Sequence, residues 1–325
     1  MSNYTSLKGV TNIDDTQLNN ELQDNVIEFL DWGLLNVGNY YNVTLDETST
    51  TGFNFSQLRL VDDNPNFAVG QAWEGFRGNW VWQSGVTFSP APLVGTNNAK
   101  PGVSGVYVDD TFYPSDTTGD YAHSIDHFNG RVIFDTPIDS GSVVKAEYSY
   151  KRFNVTYADT LPWVREVQYR TNNNPPGFNQ AGKGEYNMPP EMRLQLPAIA
   201  VEIVPRRRYR GYQLGGGQFT YTDVLFHCVA EDSMDVNKMV DIVANQNDKT
   251  IFMFDSNKMA ASGAFPIDYM GVPVSGAAHY PEIIDNYSNR RLRFTNARGS
   301  EVTMINTNFN AGIVRITAEV INTNI

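Results

Sequence analysis

Leu18, Leu22, Val26, Phe29, Leu30, Gly33, Leu34 and Val37 recur at helical spacing along one stretch of the chain. Asp14 and Asp15 precede them as capping carboxylates and Gly38-Asn39 supplies a stop, so the spacing predicts one amphipathic helix at the start. Past it the period changes to short alternations. Phe53 to Val61 alternates and breaks at Asp62-Asp63-Asn64-Pro65, and Trp73, Phe76, Trp80 and Trp82 make an aromatic cluster soon after. Residues 103–153 alternate most clearly, in Val106-Tyr107-Val108, Thr111-Phe112-Tyr113, Gly130 to Phe134 and Val143 to Phe153, with Asp109-Asp110 and Asp135-Thr136-Pro137 as turns. Strands at that spacing predict a sandwich-like or barrel-like sheet.

Residues 171–193 are dominated by Asn, Pro, Gly and Gln, and such a stretch reads as a linker or as an arm that orders on a partner. From Leu194 the pattern is mixed. Leu196 to Val204 and Phe219 to Ala230 read as strands with a turn at Gln213 to Gln218 between them. Asp232-Ser233 caps a second helix with Val236, Met239, Val240 and Val243 on its face, and Ile251–Phe254, Arg291–Phe294 and Ile313–Ile321 are further strands. The expected class is α+β: a helix plus β-rich domain over 1–170, the arm, and a domain over 194–325 with an antiparallel sheet and one main helix.

Charge sharpens that division. The 325 residues carry a net charge of −12, but residues 1–150 hold six basic and nineteen acidic side chains, a balance of −13, and residues 151–325 hold eighteen and seventeen, a balance of +1. The two halves therefore present surfaces for different electrostatic partners, and the acidic one repels nucleic acid. The lone Cys228 excludes an internal disulfide or a thiolate zinc site. The opening Met1 to Lys8 has none of the marks of a secretory leader and no run is long enough to span a bilayer, so the expectation is a soluble chain.

Catalytic chemistry is sparse. His123 and His127 stand four apart, but in loop and strand sequence, where that separation does not bring two imidazoles to one metal. Gly215-Gly216-Gly217 lacks the Gly-Lys-Ser/Thr ending of a phosphate loop and reads as a hairpin turn. No serine sits in a Gly-x-Ser-x-Gly elbow, Cys228 lies in an apolar strand, and the acidic pairs Asp62-Asp63 and Asp109-Asp110 lie in turns. The reading is non-enzymatic, without cofactor or metal. The most unusual local feature is Arg206-Arg207-Arg208-Tyr209-Arg210, read as a connection between two strands that suits capture of carboxylates on a neighbouring subunit, or of phosphates. Together with Asn172, Asn173, Asn174 and Phe178 of the arm, Arg206, Arg207, Arg208 and Arg210 are the candidate contact residues.

The second half resembles the tail terminator and neck proteins of tailed bacteriophages. The resemblance is carried by an ordered series: Leu196-Pro197-Ala198-Ile199-Ala200-Val201-Glu202, Gln213-Leu214-Gly215-Gly216-Gly217, Asp223 to Asp232 running into the helix, Asp248 to Asn257, Phe265 to Gly271 and Val314 to Val320. It implies a small α/β domain that joins a homomeric ring, commonly of six, capping or joining the tail tube at the neck. Such a ring has no active site, and only DNA passing through its lumen would meet it. It also implies a virion location after assembly in the host cytoplasm, with neck, connector, tail-tube or sheath proteins as neighbours and no membrane. The β-rich first half exceeds the compact members of that family. An alternative is a carbohydrate- or partner-binding sandwich of the virion, as in a collar, decoration or baseplate protein, with Trp73, Trp80 and Trp82 stacking sugars. A hydrolase with unrecognised residues is a third.

Overall fold

The computed structural model describes residues 12–14, 17–45, 48, 52–62, 64–82, 102–158, 195–213, 216–266, 279–300, 302–306 and 309–322. Over them the chain is a strand-rich α+β protein of three sheets and four helices. Helix α1 (Leu18–Asn36) comes first. Its N-cap is Gln17, which makes no side-chain capping bond; Asp14 lies before the cap and Asp15 outside the described residues, so the expected carboxylate cap is corrected. The stop falls where the glycine predicts. Gly38 takes φ 88, and the N–H groups of Gly38 and Asn39 return to the carbonyls of Leu35 and Leu34. Val37, beyond the last helical residue, is exposed.

Two four-stranded sheets follow. One runs in the order β1 (Tyr40–Val43), β8 (Val144–Lys151), β4 (Val103–Val108) and β5 (Thr111–Pro114), and the other β2 (Arg59–Leu60), β3 (Ala72–Glu74), β7 (Arg131–Phe134) and β6 (His123–Asp126). Every pairing in them is antiparallel. Val43, Trp73, Trp80, Val106, Ile125, Phe134, Val144, Ala146 and Tyr148 from both sheets form one core, as a sandwich requires. Val108 pairs with Thr111, and the two residues between them, Asp109 and Asp110, take φ 49 and 64. That is the left-handed conformation a two-residue hairpin needs, so this acidic pair is turn chemistry.

The third sheet is larger. Its strands are β9 (Asn154–Tyr157), β10 (Ala198–Gln213), β11 (Gly216–Ala230), β12 (Thr250–Phe254), β13 (Ser288–Gly299), β14 (Thr303–Asn306) and β15 (Phe309–Asn322), in the order β12-β13-β15-β11-β10-β9 with β14 also on β15. All pairings are antiparallel except β9 with β10. Val224, Phe226, Cys228 and Ala230 of β11 share one face with Val314, Ile316, Ala318 and Val320 of β15. Helix α2 (Ser233–Ala244) lays Val236, Met239 and Val243 on it, capped by Asp232, which accepts from the Met234 N–H at 2.9 Å. Gly312 permits the close approach, since a Cβ there would stand 2.9 Å from Val240 Cγ2. Helices α3 (Ser256–Ser262) and α4 (Tyr280–Tyr287) are too short to show a period, which is why the spacing predicts one main helix where the structure has more.

Helix α1 belongs to this second core. Leu22, Val26, Ile27, Leu30 and Leu34 pack with Val201, Phe226, Met253, Leu292 and Phe294. It touches β9 and β10 at one edge of the sheet and β12 at the other, so the sheet curls around it as a half-barrel. The helix grouped by sequence with residues 1–170 thus shares its core with strands 198–320. The sandwich is spliced between α1 and β9.

Candidate functional site

The arginine run lies inside β10, not between strands. Pro205, which has no N–H to donate, falls where the β10–β11 ladder shifts register, between Ile203 and Arg207. Thr222 Oγ1 spans the irregularity by donating to the carbonyls of Val204 at 2.8 Å and Arg206 at 3.2 Å. Beyond it the ladder resumes: Arg207 pairs with Thr222, Arg208 with Tyr221, Tyr209 with Thr220 and Arg210 with Phe219, and Gln213 with Gly216 closes the hairpin. Charged sequence resembles a loop, but the ladder continues because alternating Thr and aromatic residues on β11 supply a β-forming partner.

Past Ile203 the hairpin leaves the apolar core, for no described side chain from 204 to 219 belongs to it. Arg208 and Arg210 stand on one face and Arg207 and Tyr209 on the other. Arg206, Arg208, Arg210 and Tyr209 are exposed, Tyr209 at 57%. Among the described residues none of the four arginines is in an ion pair. On the sandwich Asp109, Asp110, Asp116, Asp120, Asp135 and Asp139 are all exposed, and of these Asp110 meets Lys145 at 3.0 Å. The hairpin offers exposed guanidinium groups outside any ion pair with a described residue, and the sandwich offers carboxylates. Asn172, Asn173, Asn174 and Phe178 lie outside the described residues, as do Leu214 and Gly215.

The other candidates are held by ordinary packing. His123 Nδ1 sits 2.9 Å from the Tyr121 carbonyl and His127 Nδ1 3.1 Å from that of Ile125; burial holds the His127 imidazole down to about 4 and lowers His123 also. Both are neutral core groups, and among the described residues no three His, Cys, Asp or Glu side chains could gather on a metal. Burial pushes the Cys228 thiol up to about 12. Trp73 and Trp80 are 4% and 1% exposed inside the sandwich, so neither is a sugar platform. Among the described residues no helix is long and apolar enough to cross a membrane.

A feature that the apolar periodicity passes over is the polar side of α1. Glu21, Asp24, Glu28 and Asp31 repeat at spacings of three, four and three, one face of a helix, and that spacing was the available signal. They are held inside the fold. Arg290 Nη1 donates to Glu21 Oε2 at 2.7 Å, Tyr157 Oη and Ser256 Oγ donate to Asp24 at 2.8 and 3.2 Å, and Lys151 Nζ donates to Asp31 Oδ2 at 2.6 Å. Burial pushes both Glu21 and Glu28 up to about 7, against the pull of Arg290 on the first and of Lys151 on the second.

Two amides tie the same helix to the backbone of the sheet it sits in. Gln23 Nε2 donates to the Val201 carbonyl at 2.7 Å. Asn25, fully buried, donates to the Phe254 carbonyl at 3.0 Å and accepts from the Phe254 N–H at 2.7 Å, occupying the place a neighbouring strand would take. Asn25→Ala leaves both backbone groups unsatisfied and is expected to cost about 3 kcal/mol in chemical denaturation. A cost below about 1 kcal/mol would show that water or local movement replaces the amide.

No protein-family model matches the chain, and no curated protein matches it in sequence.

Proposed function

We propose that the chain is a non-enzymatic structural protein of a tailed-phage virion that assembles with copies of itself into a ring at the neck or tail terminus, capping or joining the tail tube. The carrying observation is the β10–β11 hairpin, whose four arginines form no ion pair with a described residue, on a chain whose sandwich exposes a set of aspartates that includes Asp109, Asp116, Asp120, Asp135 and Asp139. Two different patches of one molecule with complementary charge make a heterologous contact, and such a contact repeats head to tail until it closes. The resemblance of residues 196–320 to terminator and neck proteins supports the same reading. On it, the half-barrel domain forms the body of the ring, the hairpin reaches the next subunit, and the inserted sandwich faces the hairpin of its neighbour.

Reversing the four charges together, R206E/R207E/R208E/R210E, replaces attraction by like-charge repulsion worth several kcal/mol at each contact. In sedimentation velocity the wild type is expected to run as an assembly and the variant as a folded monomer. Raised salt should weaken the wild-type assembly in the same direction. A variant that assembles as the wild type does would remove the hairpin from the interface.

A further inference from the structure

Where α1, β9, β12 and α4 converge, the fold leaves a cavity of about 340 Å³ lined by Asp24, Glu28, Trp82, Tyr157, Phe254, Met259, Phe265, Pro266 and Ile283. Its size lies at the lower end of the range for small-molecule sites, and its walls have their usual composition: apolar and aromatic side chains around a few polar groups. The two carboxylates differ. Asp24 is already provided with donors, the hydroxyls of Tyr157 and Ser256. Glu28 makes no hydrogen bond or ion pair with any described residue, although every other acid of the α1 row has a donor.

From this geometry we infer that the cavity binds a small organic cation, a protonated amine on an apolar body, with the ammonium on Glu28 and the body among Trp82, Phe254, Met259 and Phe265. Among the described residues the Glu28 carboxyl has no donor, and a cationic donor satisfies it best because charge-assisted bonds are the strongest available there. The rings of Trp82 and Tyr157 add attractive π faces for a cation. Trp82 is held in place from outside, stacked on His279 at 6.0 Å between ring centres. Anions are repelled by the two neighbouring acids. A hard metal ion needs more oxygen ligands than converge here, and among the described residues no metal-holding group of acids and histidines forms. A neutral apolar molecule would fill the volume and leave Glu28 as it is.

This inference is independent of ring assembly. Calorimetric titration of the full-length protein at pH 8 with benzylamine tests it, with benzyl alcohol as the uncharged molecule of the same shape. Saturable binding of benzylamine at one site per chain is expected, with benzyl alcohol at least about tenfold weaker, the usual value of one charge-assisted bond. E28Q, which keeps the shape of the side chain, should weaken benzylamine by a similar factor and leave benzyl alcohol unchanged; W82A should weaken both. Three results would overturn the assignment: no saturable binding of benzylamine, equal affinity for amine and alcohol on the wild type, or an E28Q affinity equal to that of the wild type. The comparison of amine with alcohol needs no variant, so it stands even if a substitution disturbs folding.

Discussion

Trp80→Ala is expected to destabilise the protein by about 4 kcal/mol, the largest single effect among the side chains described. Trp80 is 1% exposed, its ring lies 4.3 Å from that of Tyr148 with 20° between the planes, and its Nε1 donates to the Arg77 carbonyl at 2.7 Å. The surroundings are shaped around it and cannot collapse to fill the gap. A Cβ on Gly75 would meet the indole at 2.9 Å and one on Gly130 at 2.8 Å, and Gly130 also takes φ 69. Truncation therefore leaves a cavity, loses the stacking and takes the indole donor from a part-buried carbonyl. Domains of this kind have about 5–15 kcal/mol in total, so the loss is a large share. Equilibrium unfolding in urea checks it, and a change below about 1 kcal/mol would mean that the sandwich is not organised around this ring.

The second large effect depends on pH. Glu21 and Glu28 have folded-state values pushed up to about 7, mainly by burial, from an ordinary 4.5. For a carboxyl raised in this way the folded state holds its proton more tightly than the unfolded chain. The stability it contributes is complete below pH 4.5 and disappears as pH rises through about 7. His127 and His123 act in the opposite sense: their folded values are lowered by burial, so their contribution is present above pH 6.5 and is lost as pH falls. The two effects overlap in the raw stability profile, and a variant separates them. E28Q holds this position uncharged at all pH. At pH 8 it is expected to be more stable than the wild type by about 3 kcal/mol, and most of that gap should close by pH 5. A gap that does not change between the two pH values would show that Glu28 is well solvated in the folded protein.

Much of the strand pattern was legible in the sequence because alternation reports a half-buried sheet directly. β8 alternates Val144, Ala146 and Tyr148 into the core, and α2 begins at the predicted Asp232 cap. Turns were legible for a local reason as well, as Gly38 and Asp109-Asp110 show by their positive φ. The placement of α1 was not, because a helical period tells which side is apolar but not which sheet covers it. Nor does that period tell whether the polar side is covered. Glu21, Asn25 and Asp31 are in fact 3%, 0% and 6% exposed, and their partners Arg290, Phe254 and Lys151 are more than a hundred residues away in the chain. The arginine run misled in another way. Charge made it resemble a connection, whereas cross-strand pairing with Phe219 to Thr222 is a long-range property that no local window contains. Its chemistry, four arginines within five residues, was visible from the start.

Assembly is the claim on which the functional reading stands, and the native mass of the purified full-length protein tests it most directly. The account predicts one closed species at a fixed multiple of 36.4 kDa, six being the expected number, which falls to the single-chain mass in R206E/R207E/R208E/R210E. A wild-type protein that stays at 36.4 kDa at every concentration would contradict it, as would a ladder of open oligomers with no preferred size.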